Sequence, residues 1–246
     1  MKIIISPAKK MNVDTDFKIN NMPCFLDKTE FLMKYIKNLS YKEAKDLWQC
    51  NDKIAKTSFE YFSNMSLTER LTPALLAYEG IQYKYMAPNV FDIKEWEYIE
   101  NHLYILSGFY GILKPLDGVV PYRLEMQSKV MLSRYKDLYD YWGDSIFHKL
   151  YEDTDIVLNL ASKEYSKCIE NYLNDKVQFI SCTFGEYKEG KIITKGTLAK
   201  MARGELVRYM AEKKIEKVSE IKNFSRLGYK YNIDASSNNN IVFIKE

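Results

Sequence analysis

The chain has 246 residues, of which 46% are hydrophobic and 14% aromatic, and its formal net charge is +3. This composition excludes a disordered or collagen-like chain and supplies enough apolar surface for a sizeable core. The charge is unevenly distributed, since residues 195–230 contain ten Lys or Arg and four Glu, a local charge of +6 that leaves −3 for the remainder. A basic stretch on an acidic body is typical of an anion-binding face, and also of a solvated helix with mixed charges.

The cysteines and the amino terminus indicate the compartment. The four cysteines are far apart and none lies near a histidine, which argues against a metal site or a disulfide framework and predicts reduced thiols. Only three isoleucines precede Ser6 and Pro7, too few for a signal peptide, and no later stretch approaches the length of a membrane span. We therefore expect a soluble, cytoplasmic protein with no resident metal or cofactor.

The first part of the chain is predicted to form one strand followed by helices. Residues 1–5 are apolar and β-branched, as in a buried strand, and Lys9 follows the Ser6-Pro7 break, where it could contact a phosphate or simply face water. Over residues 27–65 the apolar residues recur at helical spacing in short segments with two-residue breaks. Such short helices fit a helix-hairpin-helix element, which binds the DNA backbone, and they fit ordinary helix packing equally well.

The least ordinary stretch is residues 103–126, into which a predicted amphipathic helix over residues 92–106 leads. Three glycines and two prolines fall within fourteen residues of it, with bulky apolar residues between them. Because a flexible linker would be polar, this pattern predicts a tightly folded segment with turns at fixed points. Charges beside rigid turns suit a binding site, and they also suit a compact turn that faces water. The charged residues are Lys114, Asp117, Arg123 and Glu125.

A strand followed by a capped helix is predicted in the second half. Residues 135–150 show helical spacing, and residues 155–162 are predicted to form a strand that ends at Ser162. Ser162 suits the N-cap of a helix that begins at residue 163, with Glu164 in its first turn. This arrangement leaves free backbone N–H groups beyond the strand end, which favours an anion there.

The last third of the chain predicts two hairpins and a long helix. Residues 177–194 contain two strands on either side of a glycine turn, and residues 228–245 form a second hairpin. Residues 197–214 are predicted to be helical, with Lys200 and Arg203 on a stripe beside the apolar face. With no repeat or linker in between, the chain is predicted to be a single α/β domain, residues 1–246, in which a mixed β-sheet is surrounded by helices.

Several common catalytic motifs are absent from the sequence. There is no GxSxG, HExxH, Walker loop or GxGxxG after a strand, and the two histidines are isolated. Carboxylates in the unusual segments leave enzymatic acid–base chemistry open, because such chemistry needs only one or two of them. The candidates are Asp117, Glu125 and Glu164.

Seven blocks of the sequence form a recognisable series. They are SPAK (6–9), LSGFYGILKPLD (106–117), PYRLEM (121–126), LYDYWGD (138–144), NLASKEY (159–165), AKMARG (199–204) and NF…GY…SSN (223–238). In this order they resemble the YaaA family of bacterial peroxide stress proteins over almost the whole chain. Met201 stands where the family often has a second basic or small residue, which leaves Lys200 and Arg203 in place.

The resemblance implies a function that composition does not show. Members of the family are cytosolic, are linked to peroxide resistance and to limiting intracellular free iron, and bind DNA through a helix-hairpin-helix element and a positively charged cleft in a mixed α/β fold. By this resemblance we expect a DNA partner, either a duplex or a distorted duplex. The residues expected to contact phosphates are Lys9, Lys114, Arg123, Ser162, Lys200 and Arg203, with Tyr110 and Tyr122 available to stack on exposed bases.

Two other functions fit the same residues. The first is an enzyme that acts on a nucleic-acid base or a nucleotide, in which the basic groups hold phosphate while Asp117, Glu125 or Glu164 supplies acid–base chemistry. A deep pocket lined by carboxylates would favour this enzyme, and a broad, shallow basic groove would favour a DNA-binding protein. The second is a scaffold with no nucleic-acid ligand.

Overall fold

The structure of the protein, a computed structural model, describes residues 1–13, 16–132 and 134–246. Short groups of strands and groups of helices follow one another along this part of the chain. The strands are β1 (Lys2–Ile5), β2 (Lys10–Met11), β3 (Thr72–Pro73), β4 (Tyr78–Glu79), β5 (Leu103–Ser107), β6 (Gly111–Leu113), β7 (Gly118–Val119), β8 (Ile156–Leu160), β9 (Gln178–Lys188), β10 (Lys191–Ile193), β11 (Tyr229–Tyr231) and β12 (Asn240–Lys245). The α-helices are α1 (Leu26–Lys37), α2 (Tyr41–Trp48), α3 (Asp52–Ser63), α4 (Ala74–Ala77), α5 (Ile81–Met86), α6 (Ile93–His102), α7 (Leu138–Trp142), α8 (Ser145–Leu150), α9 (Lys163–Glu170), α10 (Gly196–Lys213) and α11 (Val218–Ile221).

One mixed sheet forms the centre of the described residues. Its strand order is β11-β12-β9-β8-β1-β5-β6, and β10 pairs with β9. The five strands from β12 to β5 are parallel to one another, whereas β11 and β6 are antiparallel to their neighbours. Ile3, Ile4 and Ile5 of β1 are fully buried, as expected for the middle strand of a parallel sheet. The predicted mixed α/β fold is confirmed.

The predicted helix over residues 92–106 is wrong at its carboxyl end. Helix α6 ends at His102, and Leu103–Ser107 forms β5, which pairs in parallel with β1 through Ile3 and Leu103. Every residue of β5 is buried. A strand buried on both faces is apolar throughout, so its residues also match the apolar stripe of a helix and cannot be distinguished from one by periodicity.

The predicted helix over residues 135–150 is two helices, α7 and α8. Gly143 separates them with a φ of 52°, a conformation that favours glycine and ends the helical path. Helix α7 begins at Leu138 because the Asp137 side chain accepts a hydrogen bond from the amide of Asp140 at 2.9 Å. The apolar spacing continues across the break, and it therefore suggests one helix.

The short helices predicted between residues 27 and 65 are confirmed as α1, α2 and α3. Ser40 and Glu43 form a capping box at the start of α2, and Gln49 ends that helix in the left-handed conformation. The assignment of these helices as a helix-hairpin-helix element stays a prediction. No helix of the described residues combines the length and the apolar character needed to cross a membrane.

Helix α10 packs very closely on α5, and a glycine makes this possible. A Cβ atom at Gly204 would lie 2.1 Å from the carbonyl oxygen of Gln82, far inside contact distance. Ala202, Leu206 and Met210 bury the apolar face of α10, as the sequence predicts. This contact fixes Lys200 and Arg203 of α10 relative to α5.

The order of the strands creates a possible binding position at the carboxyl ends of two central strands, β1 and β8. Strands β1 and β8 are adjacent and parallel. Along the chain, β1 is followed in this sheet by β5, which lies on the side of β1 away from β8, and β8 is followed by β9, which lies on the side of β8 away from β1. Connections that leave two neighbouring strands in opposite directions open a crevice beyond their carboxyl ends, which is where open α/β sheets bind ligands. Ser6 follows β1 and Ser162 follows β8 at this crevice.

Candidate functional site

A pocket of about 380 Å³ lies at the carboxyl ends of β1 and β8. Its volume is within the range of small-molecule sites. Most of the residues predicted from the sequence contribute to its lining: Lys9, Tyr122, Arg123, Glu125, Ser162, Glu164, Lys200 and Arg203. The tertiary structure therefore brings predicted residues from four distant segments of the chain into one site.

The two strand ends are joined by a pair of serines. The amide of Ser162 donates to Oγ of Ser6 at 2.8 Å, and the Ser6 hydroxyl donates to Oγ of Ser162 at 3.2 Å. Ser162 occupies the N-cap position of α9, as predicted, but its side chain makes no capping hydrogen bond. Its hydroxyl bonds Ser6 instead. The phenol of Tyr83 donates to the carbonyl of Ser6 at 2.9 Å and fixes this turn from the side of α5.

Glu125 holds two of the cations in the pocket. Its Oε1 lies 3.0 Å from Nζ of Lys9 and 3.1 Å from an amino nitrogen of Arg123. The side chains of Arg123 and Glu125 are each 11% exposed, whereas that of Lys9 is 68% exposed. The Arg123–Glu125 pair is thus part of the buried wall, and Lys9 reaches it from the solvent side.

Several buried donors of the pocket have no hydrogen-bond partner in the described structure. They are Nε2 of Gln82, Nε of Arg123 and Nε of Arg203. Among described residues, Lys200 and Arg203 also form no ion pair with a carboxylate. Burial lowers the pKa of Arg203, although the nearby Cys182 opposes this effect. The Oε1 atom of Glu125 is likewise buried without a hydrogen bond, although it lies close to the cationic groups of Lys9 and Arg123. The pocket therefore contains three unpartnered N–H donors and one unpartnered acceptor.

The second carboxylate of the pocket, Glu164, is half-buried in the first turn of α9. Its burial raises its pKa, and the negative charge of Glu125 acts in the same direction. Hydrogen bonding from the amide of Gln127, which lies 3.4 Å from Oε1 of Glu164, and the charge of Lys9 oppose the increase. Glu164 is therefore more readily protonated than an ordinary surface glutamate.

The two tyrosines expected to stack on bases lie in the core. Tyr110 is 1% exposed, is not part of the pocket lining, and its hydroxyl accepts a hydrogen bond from the amide of Val120 at 3.1 Å. Tyr122 is 7% exposed and lines the pocket, but its hydroxyl is held between Tyr78 at 2.8 Å and Ser107 at 2.6 Å. Tyr110 is therefore a core residue in this structure, whereas Tyr122 forms part of the pocket wall and its stacking role stays a prediction.

Lys114 and Asp117 lie outside the pocket lining. Asp117 is buried, and its Oδ2 accepts a hydrogen bond from the amide of Lys114 at 2.8 Å, so the two residues form a turn. Burial raises the pKa of Asp117 to about 6, and the nearby Glu100 adds to the increase. Asp117 thus has a structural role in this turn.

Sequence reasoning missed Gln82, which is 6% exposed and lines the pocket from α5. The stretch around it is rich in tyrosine and carries no motif, and no local signal could have marked a single glutamine. For Ser6 the sequence predicts only a strand end and membership of the SPAK block. No group of three or more His, Cys, Asp or Glu residues suited to a metal ion occurs among the described residues.

Comparison with known proteins identifies the family. A family model described as peroxide stress protein YaaA matches residues 1–235. The chain belongs to the YaaA family. Similar relatives, each called a UPF0246 protein, come from Lachnoclostridium phytofermentans (57% identical, covering 100% of this chain and 96% of the relative), Agathobacter rectalis (54%, covering 99% and 98%) and Desulfitobacterium hafniense (53%, covering 100% and 98%). The resemblance seen in the seven sequence blocks is confirmed.

The family name places the chain among peroxide stress proteins. A fold alone does not assign a function, so the arrangement of groups in the pocket has to carry any finer conclusion. The pocket offers buried N–H donors and unpaired cations at a strand-end crevice, together with three carboxylates, those of Glu79, Glu125 and Glu164.

Proposed function

We propose that this YaaA family protein binds DNA during the peroxide stress response and that it holds DNA phosphate in the pocket between β1 and β8. The observation that carries the proposal is the set of unpartnered donors on Gln82, Arg123 and Arg203. A buried N–H group without a partner costs about 1–3 kcal/mol, and a phosphate oxygen would remove that cost. Arg203 and Lys200 have no competing carboxylate among the described residues, so they are available to such a ligand.

The arrangement of the cations supports the same proposal. Lys9 and Lys200 are exposed at the mouth of the pocket, while Arg123 and Arg203 lie deeper. Exposed lysines attract a polyanion over a distance, and an arginine binds phosphate with two parallel hydrogen bonds. Phosphate contacts of this kind give affinity without sequence preference.

We further propose that the protein is cytoplasmic and helps to limit intracellular free iron. Membership of the peroxide stress family supports this part of the proposal. Hydrogen peroxide damages DNA through iron-driven radical chemistry, so a DNA-binding protein that lowers available iron would protect DNA in two ways.

The test is DNA binding measured by fluorescence anisotropy over a salt series, with a labelled duplex and a labelled bubble of the same length. Each phosphate contact contributes about 0.9 to the steepness of log K against log salt. We expect the double variant Arg123→Ala, Arg203→Ala to reduce that steepness by about 2. Lys176→Ala is the matched control, because it removes an exposed cation that lies outside the pocket and is not a predicted phosphate contact, and it should change the slope much less. The proposal fails if the wild type does not bind at low salt, or if the double variant behaves as the wild type does.

A second function, an enzyme that acts on a nucleic-acid base or nucleotide, is favoured by a different observation. Glu125 and Glu164 share the pocket with the phosphate-suited cations, and Glu164 has a raised pKa. A carboxylic acid that is readily protonated can act as a general acid, and a second carboxylate as a general base. A pocket of about 380 Å³ lined by carboxylates also meets the expectation for an enzyme better than a flat groove would.

Incubation of the protein with nucleotides and short oligonucleotides, followed by chromatography, tests this second function. We expect Glu164→Gln to lower the rate by a factor of at least about 100 while leaving binding intact, since the amide cannot exchange the proton. Glu79→Gln is the control, because Glu79 lines the same pocket but pairs with Lys10 and is exposed. Absence of any product with the wild type would exclude this function for the substrates tried.

A further inference from the structure

The donors of the pocket differ in depth. Lys9, Lys10 and Lys200 are exposed at its rim, whereas the side chain of Gln82 is buried and the Nε atom of Arg203 is inaccessible to solvent. Gln82 is only 6% exposed, and its Nε2 has no partner among the described residues. A ligand that satisfies these inner groups has to enter the pocket, because a ligand that stays at the rim cannot reach them.

We propose that the pocket takes a terminal phosphate, that is, a phosphate monoester at the end of a DNA strand, in preference to an internal phosphodiester. This inference rests on the proposed function and names its substrate class. The chemistry recognised is a monoester dianion, which a 5′ end, a 3′ end or a free mononucleotide can each supply.

The inner part of the pocket contains groups that suit such a dianion. Nε2 of Gln82 and Nε of Arg203 are N–H donors, and Lys200 adds a second positive charge that no described carboxylate neutralises. A terminal phosphate has three free oxygens and carries about −1.5 to −2 charges near neutral pH. An internal phosphodiester has two free oxygens and one charge. The three free oxygens of the monoester match the three donor groups of Gln82, Arg203 and Lys200, and its charge matches the two positive charges of Lys200 and Arg203.

Helix α9 contributes its positive end. Its amino terminus follows Ser162 at the crevice. The amides of Tyr165 and Ser166 bond the carbonyl of Ser162, whereas the amides before them have no partner within the helix. Ser162 and Glu164 both line the pocket, so this helix end faces the same space as Gln82. The helix end and the unpartnered, buried glutamine are independent features, and both favour a phosphate.

Tethering explains why the end of a strand is preferred. An internal phosphate is linked to a sugar on both sides and lies along the surface of the duplex, where the rim lysines can meet it. A terminal phosphate is linked on one side only and projects from the strand, which lets it reach Gln82 and Arg203. Arg123 and Glu125 also line the pocket, but Glu125 pairs with Arg123 and Lys9 and not with Arg203.

The experiment uses hairpin duplexes with one closed end, identical except at the single open end. That end carries a 5′-phosphate, a 3′-phosphate or hydroxyl groups only, and binding is measured by anisotropy at a fixed moderate salt concentration with the full-length protein. We expect one phosphorylated end to bind at least tenfold more tightly than the hydroxyl end, and a deoxynucleoside monophosphate to compete better than the nucleoside. The two phosphorylated hairpins show which end is the source of the monoester.

Gln82→Met is the decisive variant, because methionine has a similar shape and no donor. We expect it to abolish the preference for the phosphorylated end while keeping binding of the hydroxyl end, with an equal or higher melting temperature because the change removes a buried donor that has no partner. Arg203→Lys, which keeps the charge and removes Nε, should reduce the preference and replaces Gln82→Met if that variant does not fold. Lys176→Ala, a change at an exposed lysine outside the pocket lining, is the control and should keep the full preference.

The outcomes separate this inference from the proposed function. Equal binding of all three hairpins by the wild type overturns the inference and leaves DNA binding in place. Competition by the mononucleotide without any binding of the hairpins supports the monoester pocket and overturns DNA as the partner. A preference for the phosphorylated end that survives in both Gln82→Met and Arg203→Lys would show that the selectivity arises elsewhere, and it overturns the assignment to this pocket.

Discussion

Glu125 controls how much positive charge the pocket offers to a ligand. Its carboxylate lies within 3.1 Å of both Lys9 and Arg123, so that a ligand phosphate has to compete with it for both cations. The pair with Arg123 is largely buried, where an ion pair is screened less than at the surface. Because one negative charge cancels part of the field of the site, we expect Glu125 to weaken the proposed phosphate binding while it holds Arg123 in place.

Removing this charge should strengthen phosphate binding. We expect Glu125→Gln to increase the affinity for labelled DNA by about threefold to tenfold, equivalent to roughly 0.7–1.4 kcal/mol. Anisotropy titrations at low salt measure the change. Glu79→Gln is the control, since Glu79 pairs with Lys10 at the exposed rim and its loss should have a smaller effect. Weaker binding by Glu125→Gln would show that Glu125 orders the site more than it blocks it.

Asp117 should make the stability of the protein depend on pH. Burial raises its pKa from 3.8 to about 6. At a pH between these two values the carboxyl group keeps its proton in the folded protein and has lost it in the unfolded chain. Its contribution to stability is therefore fully present below about pH 4 and is lost as the pH rises through about 6. The loss is on the order of 2–3 kcal/mol, since one unit of pKa corresponds to about 1.4 kcal/mol.

Replacing the carboxylate should remove that loss. We expect Asp117→Asn to be more stable than the wild type at pH 7 by about 2–3 kcal/mol and to differ little from it near pH 4. Urea denaturation at several pH values measures both differences. Asp175→Asn, a change at an exposed carboxylate, should follow the wild-type profile. A difference in stability between Asp117→Asn and the wild type that does not grow between pH 4 and pH 7 would contradict the assignment.

At the level of helices, the contact between α5 and α10 sets the shape of the pocket. Gln82 lies on α5, while Lys200 and Arg203 lie on α10, and the two helices meet where Gly204 has no side chain. The sequence predicts α10 correctly from its periodicity, but a glycine inside a helix gives no indication of which backbone it touches. The structure shows that this backbone belongs to Gln82, a residue of the site itself.

Gly204→Ala should therefore destabilise the protein although alanine favours a helix. The added Cβ would lie 2.1 Å from the Gln82 carbonyl oxygen, and forcing the helices apart should cost roughly 3 kcal/mol or more, against a gain of about 1 kcal/mol in helix propensity. Gly196→Ala at the start of the same helix is the matched control, because no atom lies within 4 Å of its Cβ position, and it should be neutral or slightly stabilising. Urea denaturation measures both. Equal stability of the two variants would contradict the close packing.

At the level of the whole molecule, the sheet joins the two halves of the chain. Strand β1 lies between β5 and β8, and the last strand, β12, pairs with β9 of the same sheet. Unfolding one half would therefore expose the central strand that the other half needs. This connection favours a single cooperative unit over residues 1–246, as the sequence predicts.

A comparison of two probes tests this cooperativity. All three tryptophans, Trp48, Trp96 and Trp142, precede the strands β8 to β12, so their fluorescence reports on the first part of the chain, whereas far-UV circular dichroism reports on all of it. We expect the urea transitions followed by the two probes to coincide. A second transition seen only by circular dichroism would indicate that the carboxyl-terminal part unfolds separately.

The sequence by itself determined the class of the fold, most of the helices and strands and the family, because periodicity and caps act over a few residues. It failed at β5 for a physical reason: a strand buried on both faces has no polar side to distinguish it from an apolar helix. The motif blocks also marked Lys9, Arg123, Glu125, Ser162, Glu164, Lys200 and Arg203, which line the pocket.

Only the tertiary structure decided which of these residues meet and which additional residue joins them. Ser6 and Ser162 are 156 residues apart and bond each other because β1 and β8 are neighbours in the sheet. The same strand order excludes Lys114 and Asp117 from the lining, and the packing of α5 on α10 brings in Gln82. Local sequence specifies local structure, but the position of a site depends on strand order and helix packing, which arise from contacts across the whole chain.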